Sequence, residues 1–165
     1  MGEISCSICP SILNITSSMR TKKNFTQINS SNYKHSTPIQ IRFVDIDKMG
    51  HVNNATILSY FEIARTNFFD DIIGQQDNWF ERGLIIAHTD IDYFNPVYLR
   101  DDIKAYVRIA KTGTKSFDVE HLLVKTANKE EVICAIATTV LVCMNYTKKQ
   151  TIAIPAEWKE KLKNG

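Results

Sequence analysis

The stretch Phe43-Val-Asp-Ile-Asp-Lys-Met-Gly-His-Val-Asn-Asn-Ala55 connects an alternating apolar segment to a strongly periodic one. Before it, apolar and polar residues alternate, which predicts a half-buried strand from Pro38 to about Asp45. After it, apolar side chains recur at helical spacing and predict one long helix from Ala55 to about Ile73. Gly74 is expected to end that helix, because glycine tolerates the left-handed conformation that closes many helices.

Four further strands are predicted after the helix, with turn residues between them. The pairs Asn95-Pro96, Thr112-Gly113 and Asn128-Lys129 mark the breaks. One strand, one long helix and a run of strands joined by short turns indicate an α+β fold with the helix packed on an antiparallel sheet. The strands are predicted at Leu84 to Phe94, Ile103 to Lys111, Ser116 to Lys125 and Val132 to Asn145, with a helical turn at Trp79 to Arg82 and a short helix from Pro155.

Length and composition predict one folded domain. The chain has 165 residues, 44% of them hydrophobic, which suffices for one core but is short for two. Of the net charge of +2, the first 36 residues supply +3 and the remainder −1. A nearly neutral body argues against a nucleic-acid partner. No apolar run is long enough to cross a bilayer, so no membrane partner is expected.

Residues 1–36 are predicted to form a flexible extension, followed by one domain at residues 37–165. The extension is rich in Ser, Asn, Thr and Lys, and Glu3 is its one acid. It is interpreted either as an organelle-targeting segment or as sequence upstream of a true start at Met19. Because no secretory signal is evident, a cytoplasmic location is expected.

The segment before the long helix carries the residues that suggest chemistry. Asn53 and Asn54 are good N-cap residues, and the backbone N–H groups around Asn53, Asn54 and Ala55 would favour a developing oxyanion. Asp47 and His51 come shortly before them. A carboxylate near an oxyanion site suggests acyl chemistry, although Asp47 also suits the simpler role of capping a turn.

Two motifs of the chain closely resemble the 4-hydroxybenzoyl-CoA thioesterase-like family of acyl-CoA thioesterases. They are Arg42-Phe43-x-Asp45-x-Asp47-x-Met49-Gly50-His51-Val52-Asn53-Asn54 and Tyr60-Phe61-Glu62-x-Ala64-Arg65. The resemblance implies the hotdog fold, an antiparallel sheet of five to six strands wrapped around one long central helix. It also implies that Asp47 is catalytic, as a nucleophile or as a general base for water, with His51 in support.

The resemblance also suggests where coenzyme A would bind. Lys111, Lys115 and Ser116 flank a turn in the region where family members hold the phosphates of CoA, and lysines bind phosphate well. Turn lysines are also commonly just solvated. The sequence therefore predicts a CoA site at this turn without excluding an ordinary surface role.

Other acidic residues could also supply the catalytic carboxylate or bind a metal. A related branch of hotdog thioesterases takes its carboxylate from the long helix, where Glu62 lies, but Glu62 also suits an ion pair with Arg65. Asp45 is expected to fix the loop rather than to catalyse. Asp45, Asp47 and His51 could recruit a metal, yet the helix N-terminus already supplies the electrophile, so no metal and no cofactor are expected.

The sequence thus favours an acyl-CoA thioesterase that releases a carboxylic acid and free CoA. The loop from Lys48 to Asn54 departs from that of the aromatic-substrate members, which favours aliphatic acyl groups. The resemblance implies a homodimer or homotetramer with active sites at subunit interfaces. Two alternatives stay open: an acyl-carrier-protein thioesterase, and a non-catalytic acyl-CoA-binding protein.

Overall fold

The computed structural model describes residues 28–74 and 78–164, which contain six strands and two α-helices. A 3-10 turn at Ser30–Asn32 precedes the first strand. The elements are β1 His35–Ile39, α1 Asn54–Ile72, β2 Gly83–Tyr93, β3 Ile103–Thr112, β4 Ser116–Ala127, β5 Glu130–Asn145, β6 Gln150–Thr151 and α2 Ala156–Asn164.

The strands form one antiparallel sheet in the order β1-β3-β4-β5-β2, and β6 pairs with β5. Tight turns join β3 to β4 and β4 to β5. Asn128 and Lys129, which connect β4 to β5, both have positive φ angles of 52° and 69°. Such two-residue turns match the twist of the flanking strands. The α+β architecture predicted from the sequence is confirmed.

Helix α1 begins and ends where its sequence signals predict. The Asn53 side chain accepts a hydrogen bond from the Ala55 N–H at 2.9 Å and so caps the helix. At the other end, Gly74 has a φ of +103°, and its N–H donates to the Phe69 carbonyl at 3.2 Å. The helix is therefore held at a fixed length between these two residues.

The apolar face of α1 packs on the sheet and forms the core. Phe61, Ala64 and Phe68 are each at most 2% exposed, and they belong to the same buried cluster as Val107 and Phe117 of the sheet. Helix α2 adds the buried side chains of Trp158 and Leu162 to this cluster. Burial of large side chains on both elements fixes α1 against the sheet.

The first predicted strand is wrong at both ends. It was expected from Pro38 to about Asp45, but β1 runs from His35 to Ile39, and residues 43–45 form a 3-10 turn that leaves Phe43 84% exposed. The turn forms because the Asp45 carboxylate accepts the Arg42 backbone N–H at 2.8 Å, a local bond that competes with strand pairing.

Smaller differences lie at the element boundaries. β1 begins two residues before the domain start expected at residue 37, while most of the predicted extension, residues 1–27, lies outside the described residues. Trp79 to Arg82 form a single turn in which the Arg82 N–H donates to the Asn78 carbonyl at 2.8 Å, as in an α-helix, so the predicted helical turn is present but does not extend into a helix. Strand β6 was not predicted, because its two polar residues, Gln150 and Thr151, are too few to show the alternation typical of a strand.

Candidate active site

The loop between β1 and α1 is anchored by the buried side chain of Asp45. This carboxylate is 2% exposed, and its Oδ1 accepts the Arg42 guanidinium at 2.7 and 3.1 Å. Its Oδ2 accepts the Tyr60 hydroxyl of α1 at 2.7 Å. The Arg42 hydrogen bonds hold the pKa of Asp45 down to about 2, although burial alone would raise it. Asp45 therefore ties the loop to the helix, as expected.

Asp47 lies in a tight turn two residues further on. Its backbone N–H donates to the His51 carbonyl at 2.8 Å, and the Gly50 N–H donates to the Asp47 carbonyl at 3.0 Å. Gly50 has a φ of +83°, which glycine adopts without strain. Hydrogen bonding between residues 47 and 51 thus closes a short hairpin that places both residues at its base.

The two carboxylate oxygens of Asp47 have different surroundings. Oδ1 accepts the backbone N–H of Met49 at 2.8 Å and, more weakly, that of His51 at 3.4 Å. Oδ2 has no hydrogen-bond partner among the described residues. The side chain is half-buried. One oxygen is therefore held by the turn while the other stays available.

The start of α1 offers fewer unused N–H groups than the sequence predicts. The Asn53 N–H donates to the Asp45 carbonyl at 2.9 Å, and the Ala55 N–H donates to the Asn53 side chain at 2.9 Å. The Thr56 N–H donates to the Asn53 carbonyl at 3.0 Å. Within the described chain, the Asn54 N–H has no acceptor. Of the three predicted donors, only Asn54 is unengaged.

His51 packs against a second loop. Its ring makes an edge-to-face contact with Tyr98, with ring centroids 5.4 Å apart. Lys125 fixes that loop by donating to the Pro96 carbonyl at 2.8 Å and to Asp101 at 3.2 Å. The Val52 N–H also donates to the Val97 carbonyl at 2.8 Å. Residues 96–101 therefore support the 47–51 turn.

The predicted CoA-binding residues lie at the other end of the sheet. β1 ends at Ile39, opposite Ile103, so the Asp47 loop leaves from the start of β3. Lys111, Lys115 and Ser116 flank the turn at the far end of β3, eight or more residues along the strand. At about 3.3 Å per residue this corresponds to roughly 25 Å. A single chain therefore does not bring Lys111, Lys115 and Ser116 together with Asp47.

A groove of about 350 Å³ runs between α1 and the exposed strand β2. Its polar end is formed by Arg65, whose side chain is 11% exposed and whose nearest described carboxylate is Glu62 at 3.6 Å. Burial lowers the pKa of Arg65 from its ordinary value. The remaining lining is mainly apolar: Phe69, Leu84, Ile85, Ile86, Leu141 and Tyr146.

Sequence reasoning did not assign a structural role to Tyr60 or to the 96–101 loop. A tyrosine inside the apolar stripe of a helix signals a buried hydroxyl that needs a partner, and Asp45 is that partner. The support from Tyr98 and Lys125 left no such signal, because it joins residues far apart in the chain. Only the fold brings them to the turn.

The described residues hold neither a cluster of metal ligands nor a helix that could span a membrane. Within residues 28–74 and 78–164, no group of three or more His, Cys, Asp or Glu side chains could hold a metal ion. In the same residues, no helix is long and apolar enough to span a membrane. The expectation that no metal is needed stays a prediction.

Comparison with known proteins places this geometry in a family. The model of the thioesterase-like superfamily matches residues 41–162. A thioesterase from Thermus thermophilus, solved with coenzyme A and Zn, is 32% identical, with 79% of this chain and 98% of that chain covered and a TM-score of 0.68.

Two curated relatives carry named activities. The long-chain acyl-CoA thioesterase FadM of Escherichia coli is 26% identical over 76% of this chain and 95% of its own. The chloroplastic acyl-acyl carrier protein thioesterase ATL3 of Arabidopsis thaliana is 24% identical over 77% of this chain and 66% of its own. With its hotdog architecture and a family match that spans both the Asp47 loop and the sheet, this chain belongs to the thioesterase-like superfamily and is a thioester hydrolase.

Proposed function

We propose that the protein hydrolyses aliphatic acyl-CoA thioesters through the carboxylate of Asp47. The observation that carries the proposal is the unequal hydrogen bonding of that carboxylate, whose Oδ1 is held by the turn while Oδ2 is unengaged in the described chain. A carboxylate fixed through one oxygen leaves the other free to attack a thioester carbonyl or to take a proton from water. Turn capping would likewise use Oδ1 alone, so substitution of Asp47 decides between the two roles.

The backbone N–H of Asn54 is the proposed oxyanion donor. As water or Asp47 adds to the thioester carbonyl, negative charge develops on the carbonyl oxygen, and a helix N-terminal N–H without a competing acceptor stabilises it. The tetrahedral intermediate then collapses, the C–S bond breaks, and CoA leaves as a thiolate that takes up a proton, from Asp47 in the general-base route or from solvent in the nucleophilic route. In the nucleophilic route, water afterwards cleaves the mixed anhydride formed on Asp47.

His51 has a supporting role in this proposal. Its ring packs on Tyr98, and its backbone N–H and carbonyl both bond to Asp47. The ring is therefore held beside the turn, where it shapes the thioester pocket or orients the attacking water. An imidazole ring can do either, because its two nitrogens can donate and accept hydrogen bonds.

An aliphatic acyl group is supported by two observations. FadM, which resembles this chain over 76% of its length, is named for long-chain acyl-CoA. The loop from Lys48 to Asn54 also departs from that of the aromatic-substrate members of the family. The preferred length of the acyl chain has to be measured with a series of acyl-CoA substrates.

A second copy of the chain is proposed to complete the site. β2 is an edge strand of eleven residues that exposes Ile85 and Ile86. Long apolar edges of this kind pair with other strands unless they are covered. If β2 pairs antiparallel with its copy about a two-fold axis, the two sheets run in opposite directions. The end of one sheet that carries Lys111 and Lys115 then lies at the Asp47 end of the other.

This arrangement would reconcile Asp47 with the predicted CoA-binding residues. Lys111, Lys115 and Ser116 of one copy would then bind the phosphates of a CoA whose thioester reaches Asp47 of the other. A dimer, or a tetramer built from it, is thus part of the proposal. A cytoplasmic location also stays a prediction.

The test is thiol release from octanoyl-CoA by the wild type, Asp47→Asn and Glu62→Gln. Asparagine keeps the Oδ1 acceptor of the turn but removes the reactive carboxylate, so we expect turnover to fall by about 10²- to 10⁴-fold. Glu62→Gln is the matched control, since it also neutralises a carboxylate, and we expect less than a threefold loss. Undiminished turnover by Asp47→Asn, or a larger loss in Glu62→Gln, would contradict the proposed role of Asp47.

A further inference from the structure

Lys125 is a largely buried lysine in β4, the middle strand of the sheet. It pairs with Ile103 of β3 and Val132 of β5, so both of its neighbours across the sheet are apolar. Its side chain is only 15% exposed. Lysine is rarely buried to this extent unless its ammonium group has a partner. The partners of this ammonium therefore indicate what the residue does.

Every hydrogen-bond and ring partner of the Lys125 ammonium in the described chain lies in the loop of residues 96–101. The ammonium donates to the Pro96 carbonyl at 2.8 Å and to Asp101 Oδ2 at 3.2 Å. It also lies over the ring of Tyr98, 5.2 Å from the ring centroid, which is within the range of a cation–π contact. One cation thus holds both ends of the loop and the aromatic side chain between them.

The backbone of Tyr98 is fixed by the same carboxylate. The Tyr98 N–H donates to Asp101 Oδ2 at 2.9 Å, and the Asp101 N–H donates to the Tyr98 carbonyl at 3.0 Å. Because Oδ2 of Asp101 also accepts the Lys125 ammonium, the cation, the carboxylate and the Tyr98 backbone form one network. Tyr98 is therefore restrained both at its backbone and at the face of its ring.

The imidazole of His51 depends on that ring for its orientation. Within residues 28–74 and 78–164, neither ring nitrogen of His51 has a hydrogen-bond partner, and the ring packs on Tyr98. The two rings meet edge to face, with an interplanar angle of 69° and centroids 5.4 Å apart. Aromatic quadrupoles favour this arrangement. Loss of the Tyr98 ring would leave the imidazole without the contact that orients it.

We propose that Lys125 and Tyr98 are positioning residues for the hydrolysis and act through His51. Lys125 fixes the Tyr98 ring, and the ring holds the His51 imidazole in the turn that carries Asp47. The inference rests on the proposed function, in which His51 shapes the thioester pocket or orients the attacking water. Small displacements of a group that works on the reacting atoms cost much rate, so loss of either residue lowers kcat more than it raises KM.

Two other roles for these residues make different predictions. If Lys125 only stabilised the 96–101 loop, its loss would lower Tm and leave kcat of the folded enzyme unchanged. If Tyr98 instead bound the substrate directly, its loss would appear chiefly in KM. The division of the effect between kcat and KM, measured on folded protein, therefore separates the three roles.

The experiment measures steady-state hydrolysis of octanoyl-CoA by Lys125→Met, Lys125→Arg, Tyr98→Leu and Tyr98→Phe. Methionine removes the charge of Lys125, whereas arginine keeps a cation that can donate hydrogen bonds and lie over a ring. Leucine removes the ring of Tyr98, and phenylalanine keeps it. Lys104→Met is the matched control, since Lys104 pairs with Val124 in the same strand pair but has an exposed side chain. Circular dichroism and thermal melting check that each variant folds.

We expect Lys125→Met and Tyr98→Leu each to lower kcat by about 10-fold and to change KM by less than about threefold. Lys125→Arg and Tyr98→Phe should each restore most of the lost kcat, and Lys104→Met should match the wild type. Lys125→Met combined with Tyr98→Leu should lose no more than Tyr98→Leu alone, because both act through one ring. An unchanged kcat, or a loss that appears mainly in KM, would overturn the proposal. If Lys125→Met does not fold, the two Tyr98 variants decide in the same way.

The environment of the His51 ring can also be followed without turnover. In proton NMR spectra, the imidazole signals of His51, assigned by their loss in His51→Ala, carry the ring-current shift of Tyr98. That shift should disappear in Tyr98→Leu and decrease in Lys125→Met. His51 signals that are unchanged in Lys125→Met would overturn the link from Lys125 to the imidazole.

Asp47→Asn keeps this proposal apart from the proposed function. If Asp47→Asn abolishes turnover while Lys125→Met and Tyr98→Leu keep their kcat, the positioning role fails and the thioesterase chemistry stands. If Asp47→Asn keeps full turnover, the proposed role of Asp47 fails, and the NMR signals of His51 still decide whether Lys125 and Tyr98 hold the ring.

Discussion

Replacement of Tyr60 by phenylalanine tests how the active loop is held to the long helix. The Tyr60 hydroxyl donates to Asp45 Oδ2 at 2.7 Å, and both side chains are 2% exposed. Phenylalanine fills the same space, so the change removes one buried hydrogen bond and little packing. Burial and this bond to Asp45 raise the pKa of Tyr60, so the hydroxyl remains a donor over the whole working range of pH.

The expected loss of stability depends on the hydrogen bonds that Asp45 keeps after the substitution. A hydrogen bond to a charged group contributes about 1.5–3 kcal/mol, and leaving it unmade is costly when buried. Asp45 Oδ2 still accepts the Arg42 N–H at 2.8 Å, so we expect the lower end, about 1.5 kcal/mol of unfolding free energy. For a domain of this size, that loss lowers Tm by roughly 5 °C.

Urea unfolding and thermal melting at pH 7 measure the loss. Tyr106→Phe is the matched control, since Tyr106 also donates to a carboxylate, that of Glu131 at 2.8 Å, but in an exposed setting. Its effect should stay below about 0.5 kcal/mol. If Tyr60→Phe destabilises the protein no more than Tyr106→Phe, the anchoring of the loop through Asp45 is refuted.

Three further predictions concern the cap, a buried histidine and the dimer. Asn53→Ala should lower stability by about 1 kcal/mol in urea unfolding by removing the cap of α1, and no change would contradict that role. His121 is fully buried with both ring nitrogens unpartnered in the described chain, and burial, followed by the charge of Arg65, lowers its pKa to about 3. Stability should therefore fall as pH drops from about 6.5 towards 3, because only the unfolded state gains the proton, and His121→Leu should flatten that fall in melting curves across this range. Ile86→Lys on the β2 edge should give a monomer by light scattering and lose turnover, whereas an active monomer would contradict the shared site.

The sequence was most informative where local signals and long-range packing agree. Helix α1 was predicted within one residue at each end, because Asn53 caps it and Gly74 ends it with a positive φ. The four strands β2 to β5 were placed within two residues, since Gly113 and the Asn128-Lys129 pair mark tight turns. These signals act through the backbone and do not depend on distant contacts.

The sequence was least informative where a polar side chain overrides a pattern. The alternation through Phe43 favours a strand, but Asp45 accepts the Arg42 N–H and bends the chain into a 3-10 turn. The unused donor at Asn54 was likewise hidden, since nothing local shows that the Asn53 and Ala55 N–H groups are already engaged. The large distance between Lys111 and Asp47 could not be predicted either, because it depends on the register in which β1 pairs with β3.

The most direct test of the account separates binding from chemistry in Asp47→Asn. The measurement is the Kd of a non-hydrolysable octanoyl-CoA thioether by calorimetry, beside single-turnover hydrolysis of octanoyl-CoA at saturating enzyme. Because asparagine can still accept the Met49 N–H, the account predicts a Kd within about threefold of wild type and a rate lower by about 10²- to 10⁴-fold. An unchanged single-turnover rate, or a rate loss explained by weaker binding alone, would contradict the assignment of Asp47 as the catalytic carboxylate.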